Sequence, residues 1–181
     1  MKRNFLATFL LLVIVAALYR IIPGRAPGFA PQIAMALFAG VVIKDKTWAF
    51  ILPLLSMFLS DLLYHLLYVN GLTDIPGFYE GQWINYILFA SVVVIGFFVK
   101  QIKISSIVIS SLIAPTWFFI ISNFAVWLGG GGLQRPKTFE GLLMSYNDGL
   151  PFYRNSVLAT CFFSALLFGL YVLIRRRQPK P

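Results

Sequence analysis

The feature that most constrains this chain is the alternation of long apolar runs with short basic clusters. Six runs stand out, about Asn4 to Ile22, Pro31 to Ile43, Thr47 to Val69, Trp83 to Val99, Ile104 to Leu128 and Asn155 to Ile174. Beside them lie Lys2 and Arg3, Lys44 and Lys46, Lys100 and Lys103, then Arg175, Arg176, Arg177 and Lys180. Basic residues that flank an apolar segment hold its ends at the membrane–water boundary. Hydrocarbon offers backbone N–H and C=O groups no partner, so each run is read as a helix that satisfies them internally. The expectation is an all-α polytopic membrane protein with six transmembrane helices, residues 1–181 forming a single integral membrane domain.

Composition agrees. Hydrophobic residues make up 59% of the chain and charged ones 12%, with a mean hydropathy of +0.82. A soluble domain is about half apolar and about a quarter charged. The formal charge of +9 points to membrane flanks and not to nucleic acid, because the basic residues sit at the ends of the apolar runs. One cysteine, Cys161, and one histidine, His65, permit no intrachain disulfide and speak against a zinc or iron–sulfur centre. Neither metal nor cofactor is expected. The chain carries no His-Glu-x-x-His, Gly-x-Ser-x-Gly or phosphate-cradling glycine loop before a lysine, so an enzyme is not expected either.

The start of the chain imitates a signal peptide, with Lys2 and Arg3 before the run Phe5 to Leu18 and small residues near Val15 and Ala17. It is read instead as a retained first helix, since the rest of the chain is equally apolar. Pro31 suits the first turn of helix 2. That helix is short, about 20 Å against a bilayer core of about 30 Å. A kink is expected at Pro53, an interruption of helix 5 at Pro115, and loops at 70–82 and 133–154.

Counting loops alternately sets the orientation. One side collects Lys2, Arg3, Lys44, Lys46, Lys100, Lys103, Arg175, Arg176, Arg177 and Lys180, ten in all, and the other Arg20, Arg25, Arg135, Lys137 and Arg154, five in all. The richer side is read as cytoplasmic, which puts both termini inside a bacterial cytoplasmic (inner) membrane. Asp74, Glu80, Glu140 and Asp148 fall on the outer side.

Candidate binding residues come from polar groups within or beside the runs. Asp61 lies in the middle of helix 3, where a carboxylate must face a partner or a cavity. His65 follows one turn later on the same face. Asn123 and Trp127 share a face at the outer end of helix 5. Arg25 and Arg154, with Arg20, lie at outer helix ends, where guanidinium groups fork carboxylate or phosphate or answer lipid headgroups. For each of these residues interhelical stapling or interfacial anchoring is the competing role. The small residues Ala30, Ala34, Ala36, Ala39 and Gly40 in and before helix 2 imply close packing, internal or against a partner.

Three stretches carry a resemblance. They are Phe29-Ala30-Pro31 through Ala36-Leu37-Phe38-Ala39-Gly40, then Ser60-Asp61-Leu62, then Phe118 to Trp127 continued by Pro136 to Leu142 and Pro151 to Asn155. Together they resemble an uncharacterised family of small bacterial membrane proteins labelled as transport proteins. That family is distantly similar to the substrate-binding S components of energy-coupling-factor (ECF) transporters. The resemblance implies an ECF S-component-like bundle with a pocket opening outward, a small-molecule solute, and an energy-coupling transmembrane subunit with ATPases as partners. Helix 1 has Ala7, Ala16 and Ala17 but not the Ala-x-x-x-Ala spacing of S components. The expected function is solute capture from the outer side. The alternative is a non-transport membrane scaffold or assembly factor.

Overall fold

The computed structural model describes residues 3–176, with side chains from residue 8. Lys2, Arg177 and Lys180 of the basic clusters lie outside the described residues. Six helices follow in order: α1 Arg3–Arg20, α2 Gln32–Val42, α3 Lys46–Val69, α4 Trp83–Phe97, α5 Ile104–Gly129 and α6 Phe139–Arg176. Three of them, α3, α5 and α6, are long and apolar enough to cross a membrane. The apolar part of α1 from Thr8, α2 and α4 are shorter.

The bundle is built around α2. Its residues from Gln32 to Gly40 are all buried. A helix that is apolar on every side has no face to give to water and is enclosed by its neighbours. It packs against α3, α4, α5 and α6, while Phe9 of α1 stacks on Phe38. Ring contacts also set directions. Phe9 meets Phe38, and Ala16 accepts from Gln32, so α1 and α2 are antiparallel. Phe29 meets Phe163 and Phe38 meets Phe168, so α2 and α6 run the same way. The small residues Ala34, Ala36, Ala39 and Gly40 are buried inside the chain. Their role is internal packing, and they are not a docking face. Gly96 of α4 lies so close that a Cβ there would stand 2.6 Å from the Leu37 carbonyl oxygen and 2.9 Å from Gly40 Cα.

Local chemistry sets the ends. Asp45 accepts from the backbone N–H of Thr47 at 3.0 Å and of Trp48 at 3.3 Å, capping α3 through two of its free donors. Gly130 closes α5 at φ +73°, in the left-handed region that glycine enters without penalty.

Two expectations are corrected here. Helix 5 is not interrupted at Pro115: α5 runs from Ile104 through it to Gly129, as α3 runs through Pro53. An interior proline removes one backbone hydrogen bond, and both rings are buried among neighbouring helices. The last helix also starts earlier than Asn155. It begins at Phe139 and is 38 residues long. Thr138 caps it, its Oγ1 accepting from Gly141 N at 3.1 Å. The polar residues that read as a loop serve α5 instead. Ser145 Oγ donates to the Asn123 carbonyl at 3.3 Å and Tyr146 OH to the Ile120 carbonyl at 3.1 Å.

The outside of the bundle is apolar. Leu11, Ile14, Val15 and Leu18 on α1 are exposed, as are Ile87 and Val94 on α4, Ile109 and Ile113 on α5, and Leu166 and Leu173 on α6. Contiguous apolar surface on this scale is foreign to soluble monomers.

Candidate functional site

Asp61 is the centre of a polar group formed by the end of α1, the middle of α3 and the start of α4. Its residue is 1% exposed, and both carboxylate oxygens are engaged. Oδ1 pairs with Arg20 Nη1. Oδ2 accepts from Gln82 Nε2 at 2.6 Å and from Tyr86 OH at 2.6 Å. The same Arg20 nitrogen donates to Ser60 Oγ at 2.6 Å. Tyr64 OH donates to the Arg20 carbonyl at 2.7 Å, and the guanidinium carbon stands 5.6 Å from the centre of the Tyr64 ring.

The local sequence explains how the group assembles. Ser60, Asp61 and Tyr64 present one side of α3, being spaced at one helical turn or less. Arg20 ends α1, where a cation suits the negative end of the helix dipole. The 70–82 segment then folds back on α3. Gly77 is pressed onto it, since a Cβ there would stand 2.6 Å from His65 Cβ and closer still to the Asp61 carbonyl oxygen. Gln82 Nε2 also donates to the Gly77 carbonyl at 3.1 Å, and Gln82 Oε1 accepts from Tyr79 N at 3.3 Å. Asn85 donates to the Tyr79 hydroxyl. Burial first, and the Asp61 carboxylate second, push the Tyr79 phenol above its ordinary value.

Arg25 joins this group from the 21–31 connection. Its Nε donates to the Arg20 carbonyl at 3.3 Å and its Nη1 to the Phe29 carbonyl at 2.7 Å. His65 does not join it. Its ring is exposed and lies against Phe78, 5.6 Å between centres. Sharing a helix face with Asp61 therefore brings no hydrogen bond or ion pair with the carboxylate.

Asn123 and Trp127 belong to a second group, between α5 and α6. Asn123 Nδ2 donates to the Phe119 carbonyl of its own helix at 2.8 Å, and its side chain abuts Gly149. Trp127 Nε1 donates to the Pro136 carbonyl at 2.7 Å. Lys137 stands over the Trp127 ring at 5.4 Å and donates to the Trp127 carbonyl. Arg135 and Asp148 form a two-pronged ion pair of 2.8 and 2.9 Å, and Thr116 shares a hydrogen bond of 2.8 Å with Tyr153. No hydrogen bond among the described residues joins this group to the one around Asp61. Arg154 is exposed and has no hydrogen bond or ion pair among the described residues. Its neighbours Asn155 and Ser156 hold the 21–31 connection through the carbonyls of Pro27 at 2.8 Å and Gly28 at 3.1 Å.

A family match covers the chain from end to end, residues 1–181. The chain belongs to a family of unknown function (DUF6580). No curated protein and no solved structure matches it significantly. Membership in the DUF6580 family brings no substrate or reaction with it, so the chemistry has to be read from the two polar groups.

Of the two, the group around Asp61 offers more. Arg20, Gln82 and Tyr86 are the residues that a reading confined to Asp61 and its own helix does not find. A signal for Arg20 was present. Asp61 is the single acid of α3 and Arg20 closes a helix that has no acid at all. Two buried opposite charges on neighbouring helices are stable chiefly when they meet. Gln82 and Tyr86 carried no such signal, because a glutamine before a helix and a tyrosine within one are compatible with many roles.

Proposed function

We propose that this chain is a transport subunit of the bacterial cytoplasmic membrane, crossing it with six helices and both termini inside, that captures a small solute from the outer side. The observation that carries the reading is the group around Asp61. A buried acid, a partly exposed guanidinium, two amides and three tyrosines converge where α1, α3 and α4 meet the 70–82 segment. That end of the bundle bears the loops poor in positive charge, the outer end by the charge rule. A few placed polar groups within apolar walls are the common form of a small-molecule site. The apolar exterior of α1 and α4 supports insertion of the shorter helices too, for their exposed faces need lipid as much as those of α3, α5 and α6. The enclosed α2 needs no contact with lipid, so its 11 residues, about 16 Å, can cross within the bundle without matching the thickness of the bilayer core.

The S-component resemblance supplies the partner class, an energy-coupling transmembrane subunit with its ATPases. Because Ala34, Ala36, Ala39 and Gly40 are internal, such a partner would dock on another face. A scaffold or assembly role is the second reading. It draws on the same carboxylate, whose two oxygens already have partners within the chain, as stapling requires.

Mass spectrometry of compounds released from the protein purified in native lipid separates the two. Capture predicts a small compound that leaves with the wild type and is lost from the double variant Arg20→Gln/Asp61→Asn. A scaffold predicts no such compound, and unchanged uptake of every solute tested when the chain is removed from cells.

A further inference from the structure

We propose that the open edges of Arg20 and Arg25 bind an anionic group, a carboxylate or a phosphate, on the captured solute. This rests on the capture reading and names the chemistry of its ligand. The backbone fixes Arg25 beside the end of α1: Arg25 Nε lies on the Arg20 carbonyl at 3.3 Å and Arg25 Nη1 on the Phe29 carbonyl at 2.7 Å. Arg20 spends only Nη1, on Asp61 and Ser60. Its Nε and Nη2, and Nη2 of Arg25, have no partner among the described residues. Arg20 retains 24% of its side-chain exposure while Asp61 retains 2%, so what the group offers outward is cation and not carboxylate.

Charge points the same way. Arg20 is the one guanidinium on the Asp61 carboxylate, and among the described residues no acid pairs with Arg25. Asp61 Oδ2 is filled from the protein side by Gln82 and Tyr86, which leaves Oδ1 to Arg20, so Asp61 orients Arg20 without closing its fork. Phe29, which holds Arg25, lies three residues before the start of α2, and the first turn of α2 has no side-chain cap. The positive end of that helix adds to the field. Arginine edges held in place by carbonyls recognise planar or tetrahedral oxyanions in two-pronged fashion.

The phosphate of a lipid headgroup has the same chemistry as a phosphate or carboxylate on a free solute, and the test distinguishes them. The full chain is placed in phosphatidylcholine nanodiscs and its thermal unfolding followed with inorganic phosphate or succinate added, against sodium chloride at equal ionic strength. The expected result is a saturable rise in melting temperature with at least one anion. Arg25→Gln, which leaves the Arg20–Asp61 pair intact, should weaken that binding about tenfold or more. Lys103→Gln, at the opposite end, should leave it unchanged. No response to either anion in the wild type overturns the inference, and so does an equal response in Arg25→Gln. If phosphatidylglycerol discs raise the wild-type melting temperature, abolish the response to added anion, and do neither in Arg25→Gln, the site reads lipid and the solute assignment falls. A neutral compound found by mass spectrometry in the same preparation keeps capture and removes the anion. No compound and no anion response together remove both.

Discussion

Arg20 and Asp61 stand 41 residues apart in sequence and form an ion pair that joins α1 to α3. Asp61 is almost wholly enclosed, and three side chains on two further segments depend on its charge for their orientation. Removing Arg20 strands the enclosed Asp61 charge, and removing Asp61 strands Arg20 together with Gln82 and Tyr86; breaking a buried pair costs about 3–5 kcal/mol. Asp61→Ala and Arg20→Ala should each destabilise by roughly that amount. The neutral double variant Arg20→Gln/Asp61→Asn should lose clearly less than the sum of the two. Denaturation in mild detergent reads the cycle. Additive losses would show that the two residues contribute independently.

Much of the architecture was legible in the apolar runs, and the reason is physical. An apolar helix must be ended by something polar or flexible, and Arg20, Lys44-Asp45, Lys100 to Lys103 and Gly129 to Gly132 all stop one. The start of α6 was not legible, because polarity was taken for loop. Ser145, Tyr146 and Asp148 are polar because they face α5 and Arg135, not because they leave the bundle. The candidate site was legible in its anchor, Asp61, and in Arg25. Arg20 carried a signal as the charge that ends an acid-free helix, whereas Gln82 and Tyr79 are brought in by the 70–82 segment folding back over α3, a tertiary event with no local pattern. The same segment supplies Phe78, the ring against which His65 lies.

The contact between Gly40 and Gly96 yields a second prediction. A methyl group on Gly96 would meet backbone atoms of Leu37 and Gly40, and these cannot turn aside as a side chain can. Gly96→Ala should destabilise by about 1–3 kcal/mol and push α4 off α2. Gly169→Ala, where a Cβ meets nothing within 4 Å, should be neutral or mildly stabilising through helix propensity. Thermal melting of the two variants side by side checks the contrast. Equal melting temperatures would mean that α2 and α4 do not approach this closely.

A third prediction concerns the α5–α6 contact. A Cβ on Gly149 would overlap the Asn123 side chain. Asn123 is itself held by the Phe119 carbonyl at 2.8 Å. Gly149→Ala should therefore force Asn123 from that hydrogen bond and lower stability by about 1 kcal/mol. With Asn123→Ala already present the same change should cost much less. If the penalty of Gly149→Ala persists undiminished in the Asn123→Ala background, the two positions are not in contact and the helical first half of α6 is placed differently.

The last prediction tests the orientation. In the proposed topology Lys44 and Lys103 face the cytoplasm and the 70–82 segment faces outward. The reporter in that segment has to be chosen from its packing. Gly77 looks like an open loop position in sequence, yet it is pressed against the α3 backbone, so a cysteine there would disturb the Asp61 group. Leu72 is 72% exposed and is the better site. Cys161 is partly buried in α6 and is replaced by serine to clear the background. Single cysteines at Leu72, Lys44 and Lys103 are then treated in intact cells with a membrane-impermeant maleimide. Leu72→Cys should label at once, and the other two only after the membrane is opened. Basic residues are retained on the side where translocation is hardest, so the ten-to-five division of positive charge makes this the expected sense. Labelling of Lys44→Cys and Lys103→Cys in intact cells, with Leu72→Cys protected, would invert the protein and turn the Arg20–Asp61 group toward the cytoplasm, where it could not receive a solute from outside.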